Sequence, residues 1–447
     1  MRRTSVNVKL EFWRDTSEKK GFRLRRAKTE YMELKFSSAR RMDDFVIKLG
    51  DQDIPRKARQ RSYVIVKDHS RHLLSVNQRF ALFRELCLLV VPISFCLSCR
   101  NSRGYDIAKE FNPKFTHLSP VWYELRSQGR KIFLDGRHNA DKGWVSELWK
   151  NGNALVLPRV VLEAFPADLL LNRKQLTKAC DIILKECKEM GYDGIVLESW
   201  SRWAQYGVLH DPELRKMDSA CNQSRCGTGV VDEFGREWER CMGLEALEFI
   251  KLLALGMHSV NSARNASHHL ELIFVIPAPH SENLADYDFG PQELRELGDY
   301  VDGFSLMTYD FSGPQNPGPN APLSWIHSSM ELLLGGDDKD GVHGRAHLIF
   351  LGINLYGNDF ALSKGSGSGA IMGWDYLSLL EKHSPRFLWD EKSAEHFFIY
   401  SLDNIHHSVF YPSLKSISVR LDEARAWGAG VSLWEIGQGL DYFYELL

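Results

Sequence analysis

The chain has 447 residues, of which 44% are hydrophobic, so it can bury a large core, and one main domain is expected. Its formal net charge is −2, but residues 1–103 carry 24 Lys and Arg against 11 Asp and Glu, whereas the remainder carries 32 against 47. Because the basic residues of the first region are scattered among acids, without a binding module or an aromatic-basic repeat, this balance argues against a nucleic-acid partner.

The eight cysteines do not form the paired motifs of a structural zinc site. Only Cys96 and Cys99 have the CxxC spacing, and no second such motif accompanies them. The sequence therefore predicts no metal and no cofactor. Cys221 and Cys226 could close a disulfide only in an oxidising compartment.

Residues 1–100 form a basic region that we expect to be poorly ordered. Met1–Lys20 is interrupted by charges and lacks the charged-then-apolar order of a signal peptide. Leu86–Cys99 is apolar, but about 14 residues interrupted by Pro92 fall short of the roughly 20 that span a bilayer. Two interpretations stay open for it, a buried strand or an internal membrane or signal element, so membrane association is undecided.

From residue 101 onward, apolar runs of strand length alternate with helical patterns, which is typical of βα units around a parallel sheet. The helical patterns cover Gln175–Met190, Ala246–Val260, Pro291–Tyr300 and Leu414–Trp427. The runs are Phe115–Trp122, Ala154–Val161, Tyr192–Trp200, Leu270–Pro279, Val301–Asp310, His347–Gly357 and Gly428–Glu435, with Leu86–Cys99 as a weaker first strand. The pattern predicts an α/β fold, a (β/α)8 TIM barrel over residues 101–447.

Two spacers are too long for a single helix. Ser201–His269 includes a polar, cysteine-containing stretch at about residues 218–243, which we interpret as an irregular insertion. Residues 358–412 contain a helical pattern at Trp374–His383 followed by two strand-like runs. They predict a small α+β insertion between the seventh strand and its helix.

The strand ends carry motifs that resemble glycoside hydrolase family 18. Gly191–Trp200 is similar to the family's fourth strand, Asp-Gly-x-Asp-x-Asp-x-Glu, at Asp193 and Gly194. The other matches are Met-x-Tyr-Asp at Met307, Tyr309 and Asp310, Gly-x-x-x-Tyr-Gly at Gly352, Tyr356 and Gly357, and the sugar-stacking Trp at Trp434. The resemblance implies a TIM barrel whose site lies at the carboxyl ends of its strands and takes amino-sugar glycans.

The fourth strand departs from the family pattern where the chemistry is expected. Val196 and Glu198 replace its two interior aspartates, and Trp200 replaces the glutamate that the resemblance assigns as general acid. Because strand side chains alternate, all three are expected to lie on one face of the strand, with Glu198 about 6–7 Å deeper than the acid position. The resemblance implies that this face is the lumen. An indole cannot protonate a leaving group. The sequence therefore predicts a lectin-like cleft for chitin or amino-sugar oligosaccharides, without chitinase activity.

Each candidate also has a purely structural interpretation. Trp200 could plug the barrel as core, Arg159 could pair with Glu163, and Glu198 could join a network with Tyr309 or Asp310. The sugar-binding candidates are Trp122, Arg159, Glu198, Trp200, Met307, Tyr309, Asp310, Asn354, Tyr356, Trp434 and Glu435.

Two alternative functions stay open. The first is a glycosidase of altered mechanism that uses Glu198 or Glu435, and the second is a scaffold that works through its surface. The resemblance also implies a protein partner and a secretory, lysosomal or extracellular location. In the secretory pathway, Asn222 and Asn265 would be glycosylation acceptors.

Overall fold

The computed structural model describes residues 47–49, 52–54, 89–93, 103–129, 131–162, 172–205, 237–279, 289–335, 343–363 and 369–447. Residues 1–79 and 80–447 form two separate compact units. In the first unit, β1 (Ile47–Leu49) and β2 (Gln52–Ile54) pair antiparallel. We expected residues 1–100 to be poorly ordered, but those of them that are described form the strands Ile47–Leu49, Gln52–Ile54 and Leu89–Ile93. The rest of this region and most of the expected insertion at 218–243 lie outside the described residues.

The second unit is built around a mostly parallel sheet. Its strands are β3 (Leu89–Ile93), β4 (His117–Gln128), β5 (Lys131–Asp135), β6 (Leu155–Val156), β7 (Arg159–Leu162), β8 (Gly194–Glu198), β9 (Glu271–Pro277), β10 (Gly303–Met307), β11 (Ile349–Asn354), β12 (Gly357–Ala361), β13 (Gly369–Ile371), β14 (Leu388–Asp390), β15 (Glu395–Leu402), β16 (Ile405–Phe410) and β17 (Gly430–Trp434).

Eight of these strands close into a parallel barrel in the order β3-β4-β7-β8-β9-β10-β11-β17. The ring closes because β3 pairs with both β17 and β4, at Leu89 beside Val431 and Val90 beside His117. The predicted TIM barrel is confirmed, and the weaker candidate segment Leu86–Cys99 provides its first strand. β5 extends the sheet antiparallel to the end of β4, and β6 pairs with the start of β4.

Helices alternate with the barrel strands. They are α1 (Arg103–Glu110), α2 (Lys142–Asn151), α3 (Arg173–Met190), α4 (Trp200–Gln205), α5 (Glu237–His258), α6 (Pro291–Leu297), α7 (Leu323–Leu334), α8 (Gly373–His383) and α9 (Leu414–Trp427). Short 3₁₀ turns cover Asn112–Lys114, Arg137–Asn139, His343–Leu348 and Asp441–Leu446. Within the described residues, no helix combines the length and the apolar character that crossing a membrane requires.

Helix α3 shows how the sequence sets this rhythm. Its buried residues, which include Leu176, Ala179 and Ile183, recur at the three- and four-residue spacing of one helical face. The side chain of Asn172 accepts hydrogen bonds from the first turn, and Gly191 ends the helix with φ of 73°. The chain then turns directly into β8.

The sheet separates two apolar layers. On β9, Leu272, Phe274 and Ile276 face outward into the main core between sheet and helices. Ile273 and Val275 face the lumen, where they form a second cluster with Leu157, Val196 and Phe350. Because these side chains fill the lumen, a ligand site is expected toward the carboxyl ends of the strands, as in other TIM barrels.

A second, antiparallel sheet lies between β11 and α9 in the sequence, with strand order β13-β12-β16-β15-β14. It is tied to the rest of the unit by Glu395, which is 7% exposed. This carboxylate accepts hydrogen bonds from Arg420 on α9 at 3.1 Å and from the amides of Asn320 and Ala321 at 3.1 and 2.7 Å. The buried pair therefore fixes the loop that follows β10.

Candidate functional site

A buried ion pair lies in the upper lumen of the barrel. Arg159 begins β7 and Glu198 ends β8, and Nη2 of the guanidinium contacts Oε2 of the carboxylate. The Arg159 side chain is 6% exposed and the Glu198 side chain 17% exposed. Arg159 therefore neutralises the one acidic side chain of β8, whereas the previously considered partner, Glu163, lies outside the described residues.

Trp434, at the end of β17, lies in an aromatic stack beside this pair. The Arg159 guanidinium carbon is 4.3 Å from the centre of the indole ring, in the geometry of a cation–π contact. The Tyr309 ring lies 6.4 Å from the indole, with 14° between the ring planes. Three side chains from different parts of the barrel, Arg159, Tyr309 and Trp434, thus combine apolar faces with hydrogen-bond donors.

Asp310 and Tyr356 form a second group beside the aromatic stack. We call the region formed by these two groups and the ion pair the mouth of the barrel. The Tyr356 hydroxyl donates to Oδ1 of Asp310, and Asn320 Oδ1 accepts the Asp310 amide at 2.9 Å. Asp310 has a φ of 62°, a left-handed conformation that aspartate and asparagine tolerate better than most residues. The Tyr356 ring meets Tyr309 edge-on at 6.5 Å, which joins this group to the aromatic stack.

Burial shifts the ionisation of the groups at the mouth. Desolvation raises the pKa of Asp310 above its ordinary value of 3.8, although hydrogen bonds from Tyr356 and Asn320 act in the opposite direction. Desolvation also raises the pKa of Tyr309, and the nearby Arg159 only partly offsets this. Tyr309 is therefore a neutral hydroxyl group, able to donate and accept hydrogen bonds.

Asn354 and Met307, both sugar-binding candidates, are occupied by the protein itself. Asn354 is 5% exposed, and its Nδ2 donates to the carbonyl oxygen of Tyr356 at 2.7 Å, which fixes the turn from β11 to β12. Met307 is half-buried against the apolar lumen cluster. We interpret both residues as supports of the mouth.

Glu435 follows Trp434 through a cis peptide bond and is 1% exposed. Gln438 Nε2 donates to its Oε2 at 3.0 Å. The negative charges of Glu435 and Glu198 both add to the rise in the pKa of Tyr309, so the two carboxylates lie near the same tyrosine. The mouth therefore combines three acidic side chains (Glu198, Asp310 and Glu435), one guanidinium and three aromatic rings.

The chain matches the family model "Glycosyl hydrolases family 18" over residues 168–439. It belongs to this family. The match includes β8, β10, β11 and β17, whose ends supply most of the side chains of the mouth.

The chain is similar to an uncharacterized glycosylase, YvbX, from Bacillus subtilis (strain 168), with 28% identity over 192 residues. The alignment covers 42% of this chain and 53% of that relative, so the chain spans about half of its length.

Solved structures support the same fold. The chitinase from Chromobacterium violaceum ATCC 12472 is similar with a TM-score of 0.59 at 18% identity, over 80% of this chain and 97% of that one. A plant class V chitinase mutant from Cycas revoluta, in complex with (GlcNAc)3, gives a TM-score of 0.59 at 16% identity, over 81% and 98% of the two chains. At these identities, the comparisons establish the barrel architecture.

Trp200, which the resemblance assigns to the acid position, does not line the mouth, and the expectation that it faces the lumen is wrong. β8 ends at Glu198 and α4 begins at Trp200, so the alternation of strand side chains stops before this residue. The indole is 2% exposed and packs edge-on against Phe274 and Phe289, at 6.2 and 5.2 Å, in the outer core. Trp200 is therefore a core residue, which is the structural interpretation that the sequence left open.

Trp122, which the sequence predicted as a sugar-binding residue, also lies outside the mouth. It is 2% exposed, donates to the Tyr105 hydroxyl at 2.7 Å and packs against Trp144 and Tyr192 in the outer core. The register of β4 against β7 shifts between Val121 and Tyr123, a local irregularity that sequence alternation does not reveal.

The sequence analysis did not identify several residues that hold the acidic side chains of the mouth or the loops of the barrel in place. Asn320 and Gln438, which bond to Asp310 and Glu435, lie in loops where neither periodicity nor charge distinguishes them. Asp193, the retained first residue of the strand motif, is 2% exposed and accepts from Val156 N, Ser262 Oγ and Arg264 Nη1 at 2.9–3.1 Å. It braces the loops at the opposite end of β8.

Proposed function

We propose that this family 18 protein is a chitinase-like carbohydrate-binding protein that recognises chitin or related amino-sugar oligosaccharides in the mouth of its barrel, without chitinase activity. The observation that carries the proposal is the contrast between two strand ends. Trp434, Tyr309 and Arg159 converge at the mouth, whereas the residue at the acid position of β8 lies in the outer core.

The mouth has the chemistry that sugars require. An indole offers a flat apolar face for pyranose C–H groups, and neighbouring hydroxyl, carboxylate and guanidinium groups bond the sugar hydroxyls and the acetamide. Tyr309 and Asp310 stand where these polar contacts would be made. The (GlcNAc)3 bound by the Cycas chitinase shows that the same architecture holds an amino-sugar trimer in that protein.

The absence of turnover is supported by the state of Glu198. A general acid must come within about 3 Å of the leaving oxygen and must carry a proton. The Glu198 carboxylate instead contacts the Arg159 guanidinium inside the lumen, so the protein itself occupies this group.

Binding is tested by titrating chitotriose into the protein and following tryptophan fluorescence and heat. We expect saturable binding, and Trp434→Ala should weaken it at least ~10-fold, equivalent to about 1.4 kcal/mol. Trp149→Ala is the matched control, because Trp149 lies on α2 and contacts Arg264, which bonds Asp193 at the opposite end of β8. Equal affinity of the two variants, or no binding by the wild type, would contradict the proposal.

An active glycosidase of altered mechanism is the second candidate, favoured by the presence of Glu198 and Glu435 around one tyrosine. Hydrolysis of a chromogenic chitobioside separates the two functions. We expect no turnover above a buffer blank. Turnover that Glu198→Gln or Glu435→Gln abolishes would establish the glycosidase, and absence of both binding and turnover would favour a scaffold.

Within the family, we propose a relationship to chitinase domain-containing protein 1, on the runs 317–325 and 434–443. The relationship implies a secreted or lysosomal glycoprotein with a protein partner. Asn265, a potential acceptor in that setting, is exposed. A mass shift on deglycosylation of protein secreted from eukaryotic cells, absent in Asn265→Gln, would identify it as a used acceptor.

A further inference from the structure

A cluster of metal-ligating side chains lies at the end of the barrel opposite the mouth. Among the described residues, one group of three has ligand atoms that all lie within 4.8 Å of one another, formed by His258, His269 and Asp302. His258 ends α5, His269 lies two residues before the start of β9, and Asp302 immediately precedes β10. Three separate segments thus meet at one point.

We propose that this cluster is a binding site for a divalent transition metal ion, with Zn²⁺ as its natural occupant. Two imidazole nitrogens and one carboxylate oxygen form a donor set that suits zinc, with a fourth position left for water. The cysteine spacing that argued against a zinc site tests only thiolate ligands. It does not bear on a site whose histidines and aspartate are distant in the sequence.

The two histidines already direct the same ring atom at the carboxylate. His258 Nε2 lies 3.0 Å from Asp302 Oδ2, and His269 Nε2 lies 2.8 Å from Oδ1. Bonds of about 2.1 Å to a tetrahedral zinc place ligand atoms roughly 3.4 Å apart, so the groups must separate only slightly. On binding, the neutral imidazole proton moves through solvent from Nε2 to Nδ1, and the lone pair of Nε2 coordinates the ion.

The carboxylate is held in place by the backbone. Leu272 N donates to Asp302 Oδ2 at 2.7 Å, and Asp302 N donates to the carbonyl oxygen of Leu272 at 2.9 Å. Such outer contacts orient a ligand and strengthen metal binding. Glu271, which pairs with His117 at 2.8 Å, adds a second negative charge beside His258.

Solvent can reach the cluster. The side chain of His269 is 44% exposed, that of His258 29% and that of Asp302 20%. An ion can therefore enter without unfolding, and the exposed His269 ring can adjust its position. Because the site is at the amino ends of the strands, its effect would be on stability, by linking α5 to β9 and β10.

The experiment uses the full chain after treatment with a chelator and dialysis. ZnCl2 is titrated by calorimetry at slightly alkaline pH, and the thermal unfolding midpoint is followed with and without Zn²⁺. We expect the wild type to bind one equivalent more than His269→Gln and to unfold at a higher temperature with zinc. Replacing a direct ligand should weaken this site at least ~10- to 100-fold, the loss caused by changing outer partners alone.

His268→Gln is the matched control, because His268 is the exposed neighbour of His269 and is not part of the cluster. It should bind Zn²⁺ as the wild type does, whereas Asp302→Asn, which can still accept from Leu272 N, should not. Co²⁺ in place of Zn²⁺ should give the strong visible absorption of a tetrahedral site in the wild type and in His268→Gln. Zinc binding that is equal in wild type and His269→Gln, or absent from the wild type, would overturn the proposal.

Discussion

The end of β8 differs from the ends of β10, β11 and β17 in what its side chains contact. Trp200, which the family resemblance assigns to the acid position after β8, lies in the outer core, and the Glu198 carboxylate contacts Arg159. At the other three strands, Tyr309, Tyr356 and Trp434 still converge at the mouth. The difference supports the proposal that the mouth binds a ligand although the acid position does not reach it.

The difference between β8 and the other strands is tested most directly by placing a glutamate at position 200. Trp200→Glu should not produce a chitinase, because this side chain lies among Phe274, Phe289 and Trp203 and not in the mouth. It should instead lower the free energy of unfolding by ~3–5 kcal/mol, since it removes a large core residue and buries a charge. Denaturant unfolding and a chromogenic chitobioside measure the two effects.

Trp200→Phe is the control for this substitution, because it keeps an aromatic ring in the core and should be much less destabilising. Chitobioside turnover by a folded Trp200→Glu variant would show that the acid position still reaches the substrate, contrary to its position in the structure.

The ion pair at β8 gives the next largest effect. Arg159→Met leaves the Glu198 carboxylate without its partner, and Glu198→Gln leaves the guanidinium, so each should cost about 1.5–3 kcal/mol of unfolding free energy. The double variant should cost clearly less than both single losses together. A double-mutant cycle in denaturant measures this coupling, and additive losses would show that the two groups do not interact.

The barrel and part of the mouth were predictable from the sequence, because strand length, helical spacing and the strand-end motifs all act locally. Tyr309, Tyr356 and Trp434 follow from motifs at strand ends. Trp200 and Trp122 do not, since a strand that ends two residues early and a shift of register each reverse the direction of a side chain.

The pairing of Glu198 with Arg159 was likewise not predictable. The two residues are 39 positions apart, and only the register of β7 against β8 brings their side chains together. Asn320 and Gln438 lie in loops, so only the folded chain shows that they hold the acidic groups of the mouth.

The contribution of the ends of β10, β11 and β17 to ligand binding can be tested through Tyr356. Tyr356→Phe removes the hydroxyl that donates to Asp310 and should cost about 0.5–1.5 kcal/mol of unfolding free energy. It should also weaken chitotriose binding, because Asp310 loses the contact that orients it. Calorimetric titration and denaturant unfolding measure the two changes.

Tyr400→Phe is the matched control, since Tyr400 makes an equivalent contact of 2.6 Å with Asp359 in the antiparallel sheet. The two variants should lose similar stability, but only Tyr356→Phe should lose affinity. A similar loss of affinity in both would show that stability, and not the mouth, controls binding.

The smallest expected effect concerns the ionisation of Asp310. Because its pKa is raised in the folded protein, protonation stabilises the fold, and this contribution is lost as the pH rises through the raised pKa. Asp310→Asn, which suits the left-handed backbone, should therefore be the more stable form near neutral pH, and its advantage should shrink as the pH falls toward 3.8. Denaturant midpoints across this range give the slope.

Asp403→Asn provides the baseline for this slope, because Asp403 is exposed and also left-handed, with φ of 49°. Its difference from the wild type should change less with pH than that of Asp310→Asn. Equal slopes would show that the carboxyl of Asp310 is solvated like a surface group, and the mouth would then lack the dehydrated character that strengthens hydrogen bonds to a sugar.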